Sequence, residues 1–165
     1  MYKEVAERAV AAAWCTPGIR LCDVNHWTLQ VRRETWTTVH PHGDEPWDWD
    51  VILANVGRPE HFAFAIFHGD ILRGLAKGHI SKAREVVGPE FVEGNPSIDH
   101  PLKGNVIQIA VAAADAIGNL ARARVLRLMN PAPALVEYYT QPRFGGFEVV
   151  PGVGKPHHCA REIRS

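Results

Sequence analysis

HFAFAIFHGDILRGLAKGHI, residues 61–80, is the stretch whose reading decides the fold. Its first seven residues, His61 to Phe67, are aromatic, small or β-branched, which suits a pleated and half-buried surface. His68-Gly69-Asp70 then breaks the run, and glycine is the residue that turns a chain most cheaply. Ile71 to Ile80, with Gly74 and Gly78, reads as the return strand. The whole is a β-hairpin.

Outward from the hairpin, the C-terminal side keeps alternating between strand and helix. Glu85-Val86-Val87 and Phe91-Val92-Glu93 read as a further strand, interrupted at Gly88-Pro89 in a way that suits an edge or a bulge. Residues 94–104 form a loop with Pro96 and Pro101. From Asn105 to Arg122, Val106, Ile109, Ala110, Ala113, Ile117 and Leu120 recur at helical spacing. Asp115 and Arg122 are the charged residues of that stretch, so the helix is expected to be largely buried. Arg124 to Met129 reads as a strand, Pro133 to Tyr139 as a helix opened by proline, and Gly146 to Val150 as the last strand. The Gly- and Pro-rich tail after Pro151 is expected to be poorly ordered.

On the N-terminal side, residues 2–14 read as an alanine-rich helix, stopped by Thr16-Pro17-Gly18. Trp27, Leu29 and Val31 alternate with polar residues, a strand signal. Residues 40–46 form a loop, and Trp47 to Val56 a short helix. The order of elements predicts an α/β (α+β) fold, a mixed twisted sheet flanked by helices. Residues 1–150 make one domain and 151–165 a flexible C-terminal tail.

Composition narrows the function. Hydrophobic residues make up 46% of the 165 and charged residues 22%, the balance of a globular chain rather than a disordered or fibrous one. Lys+Arg and Asp+Glu number 18 each, so bulk charge gives no reason to expect binding to nucleic acid or an anionic membrane. No apolar run approaches the ~20 residues of a membrane-spanning helix. The first residues mix acids with bases and lack the profile of a secretory signal, so a cytoplasmic location is expected. Three cysteines, Cys15, Cys22 and Cys159, give no disulfide framework. With His157 and His158 they match no compact zinc spacing, and no metal site is expected.

Several pieces in order then carry a resemblance. Leu72-Arg73-Gly74-Leu75-Ala76 ends the hairpin. Pro101-Leu102-Lys103-Gly104-Asn105-Val106 leads into the long helix. Val125-Leu126-Arg127-Leu128 is followed by Asn130, and Glu137-Tyr138-Tyr139 by Gly146-Phe147-Glu148. Together the stretch from Ile71 to Val150 resembles the GCN5-related N-acetyltransferase (GNAT) superfamily. It departs from that family's pyrophosphate loop at Pro101 and Val106, and keeps the glycine at Gly104.

The resemblance implies an acetyl-CoA-dependent N-acyltransferase that transfers its acyl group directly to an amine of unidentified identity. Acetyl-CoA would be the cosubstrate, and a homodimer is one assembly it leaves open. Lys103, Gly104, Asn105 and Val106 would hold the diphosphate through backbone N–H groups at the helix start, with Asn130 also on the cofactor side. Tyr139 would be the acid that meets the departing sulfur, with Tyr138 as its neighbour. Glu90 and Glu93 are the candidate bases, and a carboxyl facing apolar walls would have a raised pKa. Five tryptophans, Trp14, Trp27, Trp36, Trp47 and Trp49, crowd the first 50 positions, either as core anchors or as a surface for a cationic amine. Arg32-Arg33 reads as a solvated strand face. Two other readings stay open: a degenerate GNAT fold that binds a ligand or partner without catalysis, and a phage or mobile-element enzyme that modifies nucleic acid.

Overall fold

The computed structural model describes residues 2–14, 16–36, 47–54, 57–97, 101–129, 131, 133–142, 146–152 and 158–163. The elements run α1 (Tyr2–Ala13), β1 (Ile19–Cys22), α2 (His26–Thr35), α3 (Trp49–Leu53), β2 (His61–His68), β3 (Ile71–Ile80), β4 (Val86–Gly94), α4 (Val106–Ala121), β5 (Val125–Met129), α5 (Pro133–Tyr139), β6 (Glu148–Val150) and β7 (His158–Glu162). The strands form one seven-stranded sheet in the order β1-β2-β3-β4-β5-β7-β6. All neighbours are antiparallel except β4 and β5, which are parallel.

The sheet divides the apolar residues between two layers. On one face α1, α4 and α5 pack with Phe62, Phe64, Ile66, Ala76 and Val87. On the other, α2 and α3 cover Ala65, Phe67, Leu72 and Leu75. Alternation along β2 produces this split, since successive side chains leave a strand on opposite faces. Helix α4 is as buried as its sequence implies: Ile109, Ala110, Ala113 and Ala114 are each 0% exposed. It lies close against the sheet at Gly118, where a Cβ would come within 2.6 Å of Val87 and 2.5 Å of Ile163.

Three local readings change, and one is refined. The alternating Trp27, Leu29 and Val31 belong to helix α2, not to a strand. Asn25 caps that helix by accepting from the Thr28 N–H at 3.0 Å, a stop-and-start signal stronger than three alternating residues. Ile19–Cys22, only four residues long, forms edge strand β1. Of the two forms that suit the interruption at Gly88-Pro89, an edge or a bulge, the structure has the bulge. The strand continues through a β-bulge in which Lys77 faces Phe91 while Gly78 faces Pro89, leaving Glu90 as the extra residue. The tail also contains structure: His158–Glu162 forms β7, which pairs with both β5 and β6. Cys159 is fully buried there, and that burial offsets the weak strand propensity of the segment.

Replacing Ala113 with Glu puts a carboxylate into the face of α4 that meets the sheet. The expected cost is about 3 kcal/mol or more, read as a large fall in melting temperature. An unchanged melting temperature would place that helix face elsewhere.

Candidate active site

The site begins where two strands stop pairing. β4 and β5 pair at Val86↔Val125 and Val87↔Leu126, and the ladder ends there. The next residue is Gly88, where an added Cβ would lie 1.8 Å from the Arg127 carbonyl oxygen. Glycine is thus what lets the two backbones meet at this point. Beyond it the strands separate, and a cavity of about 360 Å³ opens on the α4 face. Val92 and Gly94 of β4 form one wall, Lys103, Gly104, Val106 and Ile107 the next, and Leu135, Tyr138 and Tyr139 of α5 the third.

The loop before α4 explains how that second wall is built. Gly104 has φ +75°, a left-handed conformation strained for any other residue. The Asn105 N–H turns back to the Leu102 carbonyl at 2.9 Å, and the Asn105 carbonyl accepts the first intrahelical bond, from Ile109 N–H, also at 2.9 Å. The Asn105 side chain makes no capping bond. The N–H groups of Val106, Ile107 and Gln108 therefore lack intrahelical acceptors, and the positive end of the helix dipole faces the cavity mouth. Lys103 adds an exposed cation. Of the four expected diphosphate donors, Lys103, Gly104 and Val106 line the cavity, whereas the Asn105 N–H is committed to the turn.

Tyr139 and Tyr138 both reach the cavity from α5, their rings 5.8 Å apart. Tyr139 is the more buried. Burial, with smaller contributions from Tyr138 and Cys159, pushes its pKa up to about 12, so its phenol stays protonated. The Tyr138 hydroxyl donates to the Gly104 carbonyl. Asn130 and residues 143–145 lie outside the described residues, as do Cys15 and His157.

The two glutamates sit on the other side of the sheet. Glu93 is 7% exposed and accepts from Arg32 at both oxygens, Nη2 to Oε1 at 2.8 Å and Nε to Oε2 at 3.2 Å. The Trp49 indole N–H donates to the same carboxylate. Arg32 is thus a partly buried ion-pair partner on a helix rather than part of a solvated strand. It ties α2 and α3 to β4. Glu90 leaves its bulge on that face as well. It pairs with the buried Lys77, and the His79 Nδ1 lies 2.9 Å from its Oε1. Burial raises the Glu90 pKa, but His79 and Lys77 outweigh it and bring the value down to about 2. Instead of the raised value expected beside apolar walls, the carboxyl is an anion at every ordinary pH.

Trp49 and Trp36 anchor the α2–α3 layer, whereas Trp14 packs against the α1–α4 core and Trp27 is 59% exposed. Trp49 is buried, Trp27 stacks on Phe67 at 5.9 Å, and the Arg32 guanidinium lies 5.5 Å from the Trp36 ring. Trp47 packs edge-on against Phe91 at 4.6 Å while remaining 40% exposed, so it does reach the surface beside Glu90. Nothing in the sequence pairs Arg32 with Glu93, which lie 61 residues apart, and the pairing of Lys77 with Glu90 depends on the register and bulge between β3 and β4. Cys22 in β1 and Cys159 in β7 are separated by four strands. Among the described residues no group of three His, Cys, Asp or Glu could hold a metal, and no helix is long and apolar enough to cross a membrane.

No protein-family model matches the chain, and no curated protein matches it in sequence. Solved structures do match it in fold. The ribosomal-protein-S18-alanine N-acetyltransferase from Escherichia coli superposes with a TM-score of 0.58 at 11% identity, over 89% of this chain and 95% of that one. An acetyltransferase of the GNAT family from Staphylococcus aureus gives 0.61 at 8% identity, over 88% and 99%. The PaiA N-acetyltransferase from Thermoplasma acidophilum, in complex with coenzyme A, gives 0.56 at 13% identity, over 87% and 98%. The chain has the GNAT fold, in line with the resemblance of residues 71–150, and at these identities it is a divergent example of it.

The Glu90 environment makes stability depend on acid. Its folded pKa of about 2 lies below its ordinary value of 4.5. The stabilisation is therefore complete above about pH 4.5 and is lost as pH falls toward 2, an effect of up to about 3 kcal/mol. Glu90→Gln should flatten the fall in unfolding free energy over that window. It should also destabilise the protein at neutral pH, where Lys77 loses its partner. Denaturant titrations at several pH values between 2 and 5 check this. Equal slopes in both proteins would show that the carboxylate is not ion-paired.

Proposed function

We propose that the protein is an acyl-CoA-dependent N-acyltransferase, with acetyl-CoA as its donor and an amine as its acceptor. One observation carries the reading. A parallel strand pair opens into a cavity with unsatisfied helix N–H groups on one wall and a permanently protonated phenol on another. A diphosphate fits the first wall through Lys103, Gly104 and Val106. The amide groups of the pantetheine arm fit the β4 edge, which has no ladder partner on the β5 side beyond Val87. That arrangement brings the thioester to Tyr139. The coenzyme A complex of the Thermoplasma acidophilum protein supports this choice of donor.

In the reaction the ammonium first loses one proton, the amine nitrogen bonds to the acyl carbon, and the carbon–sulfur bond breaks. A second proton leaves the nitrogen and balances the one that coenzyme A takes up, through Tyr139, as it departs as the thiol. Tyr139 donates to the departing sulfur. Because burial makes it a weak acid, its contribution falls at the low end of general acid catalysis. Glu93, bonded at both oxygens, anchors helices instead of accepting a proton. Glu90 offers a fixed negative charge beside Trp47 and Phe91 for an incoming ammonium, with His79 next to it to take the proton. A second reading, ligand binding without turnover, is favoured by the same pairing, since Lys77 and His79 occupy the Glu90 carboxylate.

Thermal unfolding with acetyl-CoA tests the donor. At 100 times the dissociation constant, bound cofactor should stabilise the protein by ~2.7 kcal/mol. No shift at millimolar acetyl-CoA would rule the donor out. A shift with no product from an amine library, followed by mass spectrometry, would select the non-catalytic reading. With a working acceptor, Tyr139→Phe should lower turnover roughly 10²-fold with acetyl-CoA affinity nearly unchanged. Undiminished turnover would leave Tyr139 as packing.

A further inference from the structure

We propose that Tyr138 is a positioning residue for the coenzyme A diphosphate: its hydroxyl holds the Gly104 carbonyl, and through it fixes the orientation of the loop amides that meet the anion. The inference rests on the acyltransferase reading and adds a role that neither the sequence nor the fold match assigns. Sequence reasoning treats Tyr138 as the bystander beside Tyr139. The structure gives the two residues different partners, because adjacent helical side chains point about 100° apart. Tyr139 turns into the core. Tyr138 reaches across the cavity from α5 to the loop before α4 and donates to the Gly104 carbonyl oxygen.

What that bond controls is a single peptide unit. Its C=O belongs to Gly104 and its N–H to Asn105. The N–H end is anchored on the Leu102 carbonyl at 2.9 Å. The C=O end is anchored on Tyr138. With both ends tied, the plane of the unit is set, and so are the directions of the amides on either side, at Gly104 and Val106. The tie matters more here than at most positions. Gly104 sits at φ +75°, and glycine has no Cβ to keep it in one region of backbone space. A loop of this kind loses anion affinity when it is free to sample other states, since binding must then include the cost of ordering it. Asn105 offers no side-chain cap to restrain the turn from the helix side, so the restraint comes from α5.

The arrangement also links the two halves of the cleft. Lys103, Gly104 and Val106 lie in the connection that follows β4, whereas Tyr138 lies on the helix that follows β5, and β4 and β5 are the strands that diverge past Gly88. A hydrogen bond across the opening sets its width at the diphosphate end, while Tyr139 one residue later faces the thioester end. One helix turn then serves both cofactor placement and chemistry.

The test is Tyr138→Phe, which keeps the ring and removes the hydroxyl, with coenzyme A itself as the probe in calorimetric titrations. The loss of one positioning hydrogen bond should weaken coenzyme A binding about 3- to 10-fold. The melting temperature of the free protein should be nearly unchanged, and amide hydrogen exchange at residues 104–106 should quicken. Unchanged or tighter binding would overturn the proposal, the latter because it would make the contact a barrier to the cofactor. Weaker binding with a parallel loss of free-protein stability and unaltered loop exchange would also overturn it, since that is the signature of packing alone. If the unsubstituted protein binds no coenzyme A at millimolar concentration, the acyltransferase reading falls and takes this role with it. Normal binding by both proteins removes the role of Tyr138 and leaves the function standing.

Discussion

The approach of β4 to β5 at Gly88 is the constraint on which the cleft depends. Parallel strands need a ladder to stay together, and here that ladder consists of two residue pairs followed by a point where the Arg127 carbonyl occupies the space of a side chain. The bulge at Glu90 comes immediately afterwards. Bulges increase local twist and bend a strand, so β4 turns away from β5 just where its pairing ends. Pro89 fits the same logic. A proline in the middle of a regular strand removes a ladder bond, but next to a bulge that loss is already present. Gly88, Pro89 and Glu90 thus act as one device, and the open edge of β4 is its product.

The opening is useful because the two sheet faces carry different chemistry. The α4 face offers backbone dipoles, Lys103 and two tyrosine hydroxyls, which suit a phosphate-bearing thioester. The α2–α3 face offers the Glu93 carboxylate paired with Arg32 and the Glu90 carboxylate held ionised by His79 and Lys77, beside the aromatic rings of Trp47 and Phe91. A donor and an acceptor of opposite character can approach the gap between β4 and β5 from opposite sides. The sheet itself keeps the anionic groups of the acceptor side away from the diphosphate, so neither environment weakens the other.

Much of the framework was legible in the sequence for reasons that are local. The 61–80 hairpin, the apolar period of α4 and the proline that opens α5 each reflect interactions within a few residues. The Gly104 loop was legible too, because its glycine precedes a helix. What escaped was non-local or too short. Trp27, Leu29 and Val31 fit period 2 as well as a helix, and the Asn25 cap is what decides between them. His158–Glu162 becomes a strand by inserting between nearby β6 and the more distant β5. The roles of the glutamates escaped for the same reason. Their partners, Arg32 and Trp49 for Glu93, Lys77 and His79 for Glu90, lie on other elements, and it is His79 and Lys77 that bring the Glu90 pKa down.

The buried ion pairs raise a last question of energetics. Taking charges out of water costs more than most pairs recover, so a well-packed apolar substitute can be as stable. Arg32–Glu93 cannot be explained by stability alone. Its geometry offers a better account. Two guanidinium nitrogens and the Trp49 indole converge on one carboxylate, so α2, α3 and β4 share a single point with directional bonds. The α3 helix has five residues, too few to hold its own position. Apolar contacts would let such a short element slide or rotate over Phe67 and Leu75, whereas a bidentate pair specifies one seat. That seat sets where Trp47 meets Phe91, and hence the surface beside Glu90. On the proposed function, the ion pair would orient the acceptor side as the Tyr138–Gly104 bond would orient the donor side.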